Sequence, residues 1–392
     1  MEDFTFYNPT DIRFGDYIDD QLADTLAQFG SKVLLVTGGQ SIHRSGLYER
    51  VMKLLADFDV TELAGVEPNP KIASVRQGVK LAQDRDVILA VGGGSVIDCA
   101  KVIATAAHYA GDAWDIVADR DLAQRQTMLP LVDIVTLAAT GTEMNINAVI
   151  SDPERNLKVG ARCPHGPNVS FLDPSLTTTV PAYQTAAGSM DIFSHLCEQY
   201  FDRGLPNDVS QGMIEGVMRA VVKYTPIAIS QPDDLAARRN LMWAATTALN
   251  GMLGAGTKNH WSNHPMEHQL SAFYDVTHGV GLGILTPRWM QYCLDHDATT
   301  AEWFARFGQR VFDLPAIGTL TQQAQAAIDR TYAWITSLGF GMTLPAIGIK
   351  DTTHYAEMAK GAAAGGTLNG FVPLDAAAVE EIYQASTTDG LH

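Results

Sequence analysis

The residues best suited to do chemistry are a group of imidazoles and one carboxylate in the second half of the chain. In GSMDIFSHLCEQY, Asp191 and His195 are four residues apart in a strongly helical context, so both project from one helical face. In NHWSNHPMEHQLSAFYDVTHG, His260, His264 and His268 recur at the same interval, and His278 follows ten residues after the last of them. On an unbroken helix His264 and His278 would stand about 21 Å apart. Both can serve one ion only if the chain turns back, and the Tyr274-Asp275 region is the place for that turn. One aspartate with two or three histidines suits Fe²⁺ or Zn²⁺ better than Ca²⁺ or Cu⁺. A single buried histidine is more often a satisfied core residue, but paired acid and imidazole positions in one region favour a metal. Spacing leaves open which of His260, His264 and His268 is a ligand. Pro265 disfavours the α region for the residue before it, which sets His264 at a helix start.

The sharpest feature of the first half is DVILAVGGGSVIDCAK, an apolar strand running into Gly92-Gly93-Gly94-Ser95 and then directly into a helix. A turn without Cβ atoms lets backbone N–H groups approach a pyrophosphate, and the helix N-terminus adds a favourable dipole. Ser95 suits the N-cap and Asp98 would complete a capping box; Asp98 could also orient cofactor or substrate. An earlier loop, Thr37-Gly38-Gly39-Gln40-Ser41, follows the strand VLLVT. In dinucleotide folds a strand end at this point meets the adenosine ribose, where an acidic side chain selects NAD. Glycine there, with Ser41, His43 and Arg44 beyond it, leaves room for a 2′-phosphate.

The elements that must hold these residues follow from length and pattern. With 392 residues the chain calls for two domains. Through about residue 183, short β-rich runs alternate with amphipathic helical ones. Strands are predicted over 32–37, 86–91, 132–137 and 168–172, and helices over 47–58, 72–84 and 96–109. That alternation implies a parallel sheet covered on both faces. From Pro181 onward the segments 184–201, 208–224, 233–254 and 322–338 read as helices and no strand is evident. The ending STTDGLH reads as a frayed tail.

Net charge of -17 opposes partnership with nucleic acid or an anionic membrane. The start MEDFTFYNPTDIRFG lacks the pattern of a secretory leader, and no stretch is apolar for long enough to span a bilayer. Four scattered cysteines (Cys99, Cys163, Cys197, Cys293) suggest neither disulfides nor a thiolate site, so a cytoplasmic setting is expected.

Taken together these residues resemble the iron-containing alcohol dehydrogenases. The resemblance rests on GVEPNP (65–70), GGGSVIDCAK (92–101), TLAATGTEMN (136–145), SFLDP (170–174), GSMDIFSHLCEQY (188–200), WAATTALNG (243–251) and HPMEHQLSAFYDVTHGVGLGIL (264–285). It implies an N-terminal dinucleotide-binding α/β domain over 1–183 and an all-α metal-binding domain over 184–392, as in dehydroquinate synthase-like folds. It places the metal ligands on Asp191, His195, His264 and His278. A further active-site histidine near the nicotinamide falls on His268, and none on His260. Pyrophosphate contacts fall on Gly93, Gly94 and Ser95, and nicotinamide-side contacts on Thr136, Thr140, Asn145 and Lys158. Gly38, where NAD-preferring relatives carry aspartate, together with Gly39 and Ser41, implies NADP(H) in preference to NAD(H). Met144 replaces a smaller residue common in the family. A homodimer acting on small alcohols and aldehydes is the corresponding expectation.

The chemistry implied is hydride transfer between a nicotinamide cofactor and the carbon of a small primary alcohol or aldehyde, with Fe²⁺ or Zn²⁺ as Lewis acid and His268 as proton relay. Two rivals share the fold. A carbocycle-forming lyase of the dehydroquinate synthase type needs a dense Lys/Arg cluster, and basic residues are sparse around these motifs. A non-catalytic relative has no need of four intact ligands.

Overall fold

A computed structural model describes every residue except Asn259, Gly365 and His392. The chain divides into two compact units, one of residues 7–180 with 232–250, the other of residues 1–6, 181–231 and 251–392.

The first unit is built on a six-stranded sheet of β1 (Asp11–Phe14), β2 (Lys32–Thr37), β3 (Asp59–Leu63), β4 (Val87–Gly92), β5 (Leu131–Val135) and β8 (Val169–Leu172). The order is β1-β8-β5-β4-β2-β3, with every neighbouring pair parallel. The four strands expected from sequence are the buried ones, shifted by no more than two residues at an end. The two that were not anticipated, β1 and β3, lie at the edges, where half-exposed side chains blur the apolar run. Alternate residues feed opposite faces: Leu34, Val36, Ile88 and Ala90 join one core, Val33, Leu35, Val87, Leu89 and Val91 the other. An antiparallel hairpin of β6 (Asn147–Asp152) and β7 (Leu157–Arg162), also unanticipated, leads from β5 to β8. The helix Leu235–Ala248 groups with this unit, where Thr246 Oγ1 donates to the carboxylate of buried Glu143 at 2.6 Å.

The second unit is helical. Its centre is Ala182–Tyr200, buried on every side from Thr185 to Tyr200. Asn263–Tyr274 and His278–His296 follow each other across a tight turn. Two short strands, Leu368–Asn369 and Pro373–Leu374, pair antiparallel where no strand was expected. Two residues apiece are too few to leave a period in the sequence. The expected fraying of the C-terminal tail is also corrected for its described residues. Ser386 is buried, Arg288 Nη2 donates to Thr388 O at 2.8 Å, and Gly390 N donates to the Tyr332 hydroxyl at 3.1 Å; His392 lies outside the described residues.

The start of His278–His296 reaches the central helix through Gly279, where a Cβ would fall 1.9 Å from the Ala187 carbonyl oxygen. No side chain fits there without separating the helices. Gly279→Ala is therefore expected to cost about 1–3 kcal/mol, the range for overpacking a close contact. The check is the urea midpoint, and an unchanged midpoint would contradict this close approach.

Candidate active site

The turn anticipated near Tyr274-Asp275 exists. Asp275 closes Asn263–Tyr274 in the left-handed region (φ 51, ψ 41), so the chain reverses and His278 opens the next helix. His264 sits at the second position of its helix. Its N–H has no intrahelical acceptor there and donates to Glu198 Oε1 at 3.0 Å, while Ser262 N donates to Glu198 Oε2 at 2.9 Å. Pro265 costs nothing at such a position, because the early N–H groups of a helix lack partners anyway.

This arrangement gathers four side chains within the helical unit. Asp191 Oδ1 lies 3.5 Å from His195 Nε2, 3.7 Å from His264 Nε2 and 3.5 Å from His278 Nε2. Those separations are too long for good hydrogen bonds. Each is close to the roughly 3.4 Å that metal–ligand bonds of about 2.1 Å set between neighbouring ligand atoms around one cation. Asp191 Oδ1 and His264 Nε2 are also buried without a hydrogen-bond partner, so the donor set fits a divalent ion by both spacing and unmet demand. Asp191, His195 and His264 form one close group, while His278, 3.5 Å from Asp191 Oδ1, groups with Glu267 and His268.

The electrostatics agree. Burial pushes the His195 imidazole down to about 3, against the pull of Asp191, so its ring is neutral and can donate a lone pair. Burial opposes charge on Asp191, but His195, His278 and His264 together hold it below the usual carboxylate range. Burial likewise opposes charge on His264, and Asp191 and Glu198 more than offset it, raising the ring to about 9. The anionic Asp191 thus demands positive charge beside it, from a proton on His264 or from a cation.

Two acids that the sequence reading left without a role orient these rings. Glu198 Oε1 lies 3.3 Å from His264 Nδ1, and Glu267, fully buried, pairs with His278 Nδ1 and the Ser271 hydroxyl. Such carboxylates fix which ring nitrogen faces a metal. Their signal was present: each follows a ligand candidate by three residues, His195 to Glu198 and His264 to Glu267, on the same helical face. His268 is half-buried, with its ring centroid 5.7 Å from that of His278 and 6.4 Å from that of His264. His260 is exposed and belongs to neither group.

The glycine loops lie in the other unit. Strand order reverses between β2 and β4, and both loops leave the carboxyl ends of those strands, the usual ligand position in open α/β sheets. The helix after β4 runs Gly94–Ala106 with Gly93 at its cap and no side-chain cap. The expected Ser95 cap and Asp98 capping box are therefore wrong. Asp98 is buried one turn inside, where it accepts from the Thr142 hydroxyl and from Val149 N at 2.8 Å. Removing the side chain at the turn lets the helix start two residues earlier, at 94 and not 96, which leaves Ser95 in its first turn.

Residues expected on the nicotinamide side converge on this loop in part. Thr136 N donates to Gly92 O at 3.0 Å, and a Cβ on Gly94 would meet Thr140 Oγ1 at 2.5 Å. Asn145 is buried, its Nδ2 donating to Gly141 O at 2.8 Å. Lys158 is buried on β7, in register with Ser151. Gly38 touches the same helix, since a Cβ there would meet Val96 Cγ2 at 3.2 Å, while Gly39 faces open space. Ser41 opens the short helix Ser41–Arg44.

Comparison with known proteins agrees with this geometry. The family model "Iron-containing alcohol dehydrogenase" matches residues 9–174, and "Fe-containing alcohol dehydrogenase family, C-terminal" matches 185–387. The NADH-dependent butanol dehydrogenase A of Clostridium acetobutylicum is 43% identical, covering 98% of this chain and 100% of its own. The NADPH-dependent aldehyde reductase of Escherichia coli is 33% identical over 92% and 93%. The crystal structure of an NADH-dependent butanol dehydrogenase A from Thermotoga maritima superimposes with a TM-score of 0.91 at 34% identity, covering 99% of each chain. With both halves matched by the family's models, the chain belongs to the iron-containing alcohol dehydrogenase family.

Proposed function

We propose that this chain is a metal-dependent alcohol dehydrogenase that interconverts small primary alcohols and aldehydes with a nicotinamide dinucleotide. The observation that carries this reading is the single carboxylate oxygen of Asp191 with three imidazole Nε2 atoms 3.5–3.7 Å from it. Full-length relatives named as butanol dehydrogenases and an aldehyde reductase support it over the lyase alternative. The unit of residues 7–180 and 232–250 binds the dinucleotide, and the helical unit holds the metal.

Asp191, His195, His264 and His278 would hold Fe²⁺ or Zn²⁺; three imidazoles and a carboxylate suit either. When bound, the cation supplies Lewis acidity to the substrate oxygen and the dinucleotide carries the hydride. The chain's own residues do the remaining work. Gly93, Gly94 and Ser95 cradle the pyrophosphate. Thr136, Thr140, Asn145 and Lys158 would hold and orient the nicotinamide end of the dinucleotide. His268 holds the proton that the substrate oxygen gains or loses, through water or a ribose hydroxyl. Asp98 acts through the Thr142–Val149 segment that it holds.

For the cofactor, NADP(H) is favoured by Gly38, by the open space at Gly39, and by exposed Ser41 and Arg44. His43 serves less well, since its ring lies 4.2 Å from that of Tyr48, centroid to centroid. Against this stands Glu62 on β3, which accepts from the Thr37 hydroxyl at 3.1 Å and from Tyr48 at 2.9 Å. Relatives of both preferences occur.

A homodimer is supported by exposed Phe4, Phe6 and Tyr7, which lead into edge strand β1. Light scattering is expected to give twice the chain mass of 42.4 kDa, and a monomer would contradict it. Four free, buried cysteines support a cytoplasmic setting.

The whole reading is tested by stripping metal, reloading with Fe²⁺ or Zn²⁺, and measuring initial rates with butanal and each reduced cofactor; no turnover under any combination would overturn it. His264→Ala should abolish metal retention, whereas Glu198→Gln and Glu267→Gln should weaken it about 10- to 100-fold, the usual effect of losing a ligand's orienting partner. Metal per chain after dialysis reads both, and full retention in His264→Ala would refute its assignment. His268→Ala should keep metal and lose kcat. Gly38→Asp should lower kcat/KM for NADPH relative to NADH by roughly ten- to hundredfold, through a like-charge contact worth about 1–3 kcal/mol. A parent enzyme already preferring NADH tenfold would show that Glu62, and not the glycines, governs this loop.

A further inference from the structure

Lys101 is fully buried on the helix that opens with Gly94, and no part of the proposed chemistry uses it. Its Nζ donates to Thr142 O at 2.9 Å, to Asn145 O and Oδ1 at 3.2 Å each, and to Asn147 O. All of these acceptors lie within one six-residue stretch. One turn earlier on the same helix, Asp98 holds Thr142 and Val149 from the same side, 3.8 Å from the ammonium.

We infer that Lys101 is a positioning residue for the nicotinamide end of the cofactor: its ammonium gathers the backbone carbonyls of Thr142, Asn145 and Asn147 and so fixes the segment that carries Asn145 and, through Thr142 N donating to Thr140 Oγ1 at 3.4 Å, Thr140 just before it. This rests on the reading that those two residues meet the nicotinamide. An apolar side chain of similar length would fill the space without the cost of burying a charge. That cost is visible here: burial lowers the Lys101 pKa, although Asp98, Asp133 and Glu143 oppose the shift. A compact cation with three donors can draw several carbonyls to one point, which no apolar group can do. The helix whose first turn faces the pyrophosphate thereby also sets the loop for the other end of the dinucleotide.

The test uses calorimetric titration of the full chain with NADPH or NADH, whichever binds more tightly, and with the matching ADP-ribose (2′-phosphorylated when the dinucleotide is NADPH), which keeps the pyrophosphate but lacks the nicotinamide. Lys101→Met should weaken the dinucleotide by more than about tenfold and ADP-ribose by less than about twofold. Because Lys101→Met removes the cation 3.8 Å from the Asp98 carboxylate, the pair Asp98→Asn with Lys101→Met is measured alongside. It should restore the thermal midpoint while leaving dinucleotide affinity low. Equal losses for both ligands, no loss for either, or affinity that recovers together with the midpoint would overturn the proposal. If the parent chain binds the dinucleotide no more tightly than ADP-ribose, the nicotinamide reading itself is what fails, and the role of Lys101 falls with it.

Discussion

A carboxylate buried among three imidazoles governs the helical unit. Asp191 is removed from water, its Oδ1 has no hydrogen-bond partner, and its charge must be met by something positive within the cluster. Everything around it serves that need. The central helix supplies Asp191 and His195, the reversal at Asp275 returns the chain with His278, and Gly279 lets that helix close onto Ala187. Glu198 and Glu267 stand behind the rings and turn Nε2 toward the carboxylate.

The α/β unit solves a different problem by related means. A dinucleotide carries negative charge, yet the chain itself is strongly acidic. On the proposed reading the favourable field is local: the amide groups at the start of Gly94–Ala106, beside the point where strand order reverses. Behind that loop lies a group of buried ionisable side chains. Lys101 faces Asp98, and burial pushes the carboxyl groups of Asp133 and Glu143 upward toward their neutral forms.

Much of this was legible in the chain. The helical interval from Asp191 to His195, the reversal needed between His264 and His278, and the four buried strands all follow from period and residue type. What stayed hidden depended on tertiary context. Edge strands β1 and β3 lack a continuous apolar run, and the β6–β7 hairpin carries mixed polarity. Ser95 has the right chemistry for a cap, but glycine at 93 let the helix begin earlier. Spacing treated His260, His264 and His268 alike; the fold separates them by turning the first to solvent and seating the second against Asp191. The helix Leu235–Ala248 has an ordinary helical signature, and only tertiary contacts such as Thr246 with Glu143 and Trp243 with Phe14 reveal the unit it joins.

The central claim is that one aspartate and three histidines form a single metal site. X-ray absorption at the zinc edge of the Zn²⁺-loaded chain tests it most directly. The account predicts a shell of nitrogen and oxygen neighbours at about 2.0–2.2 Å, with the outer-shell scattering of three imidazoles and no sulfur. A shell containing sulfur, or one with fewer than two imidazoles, would contradict it.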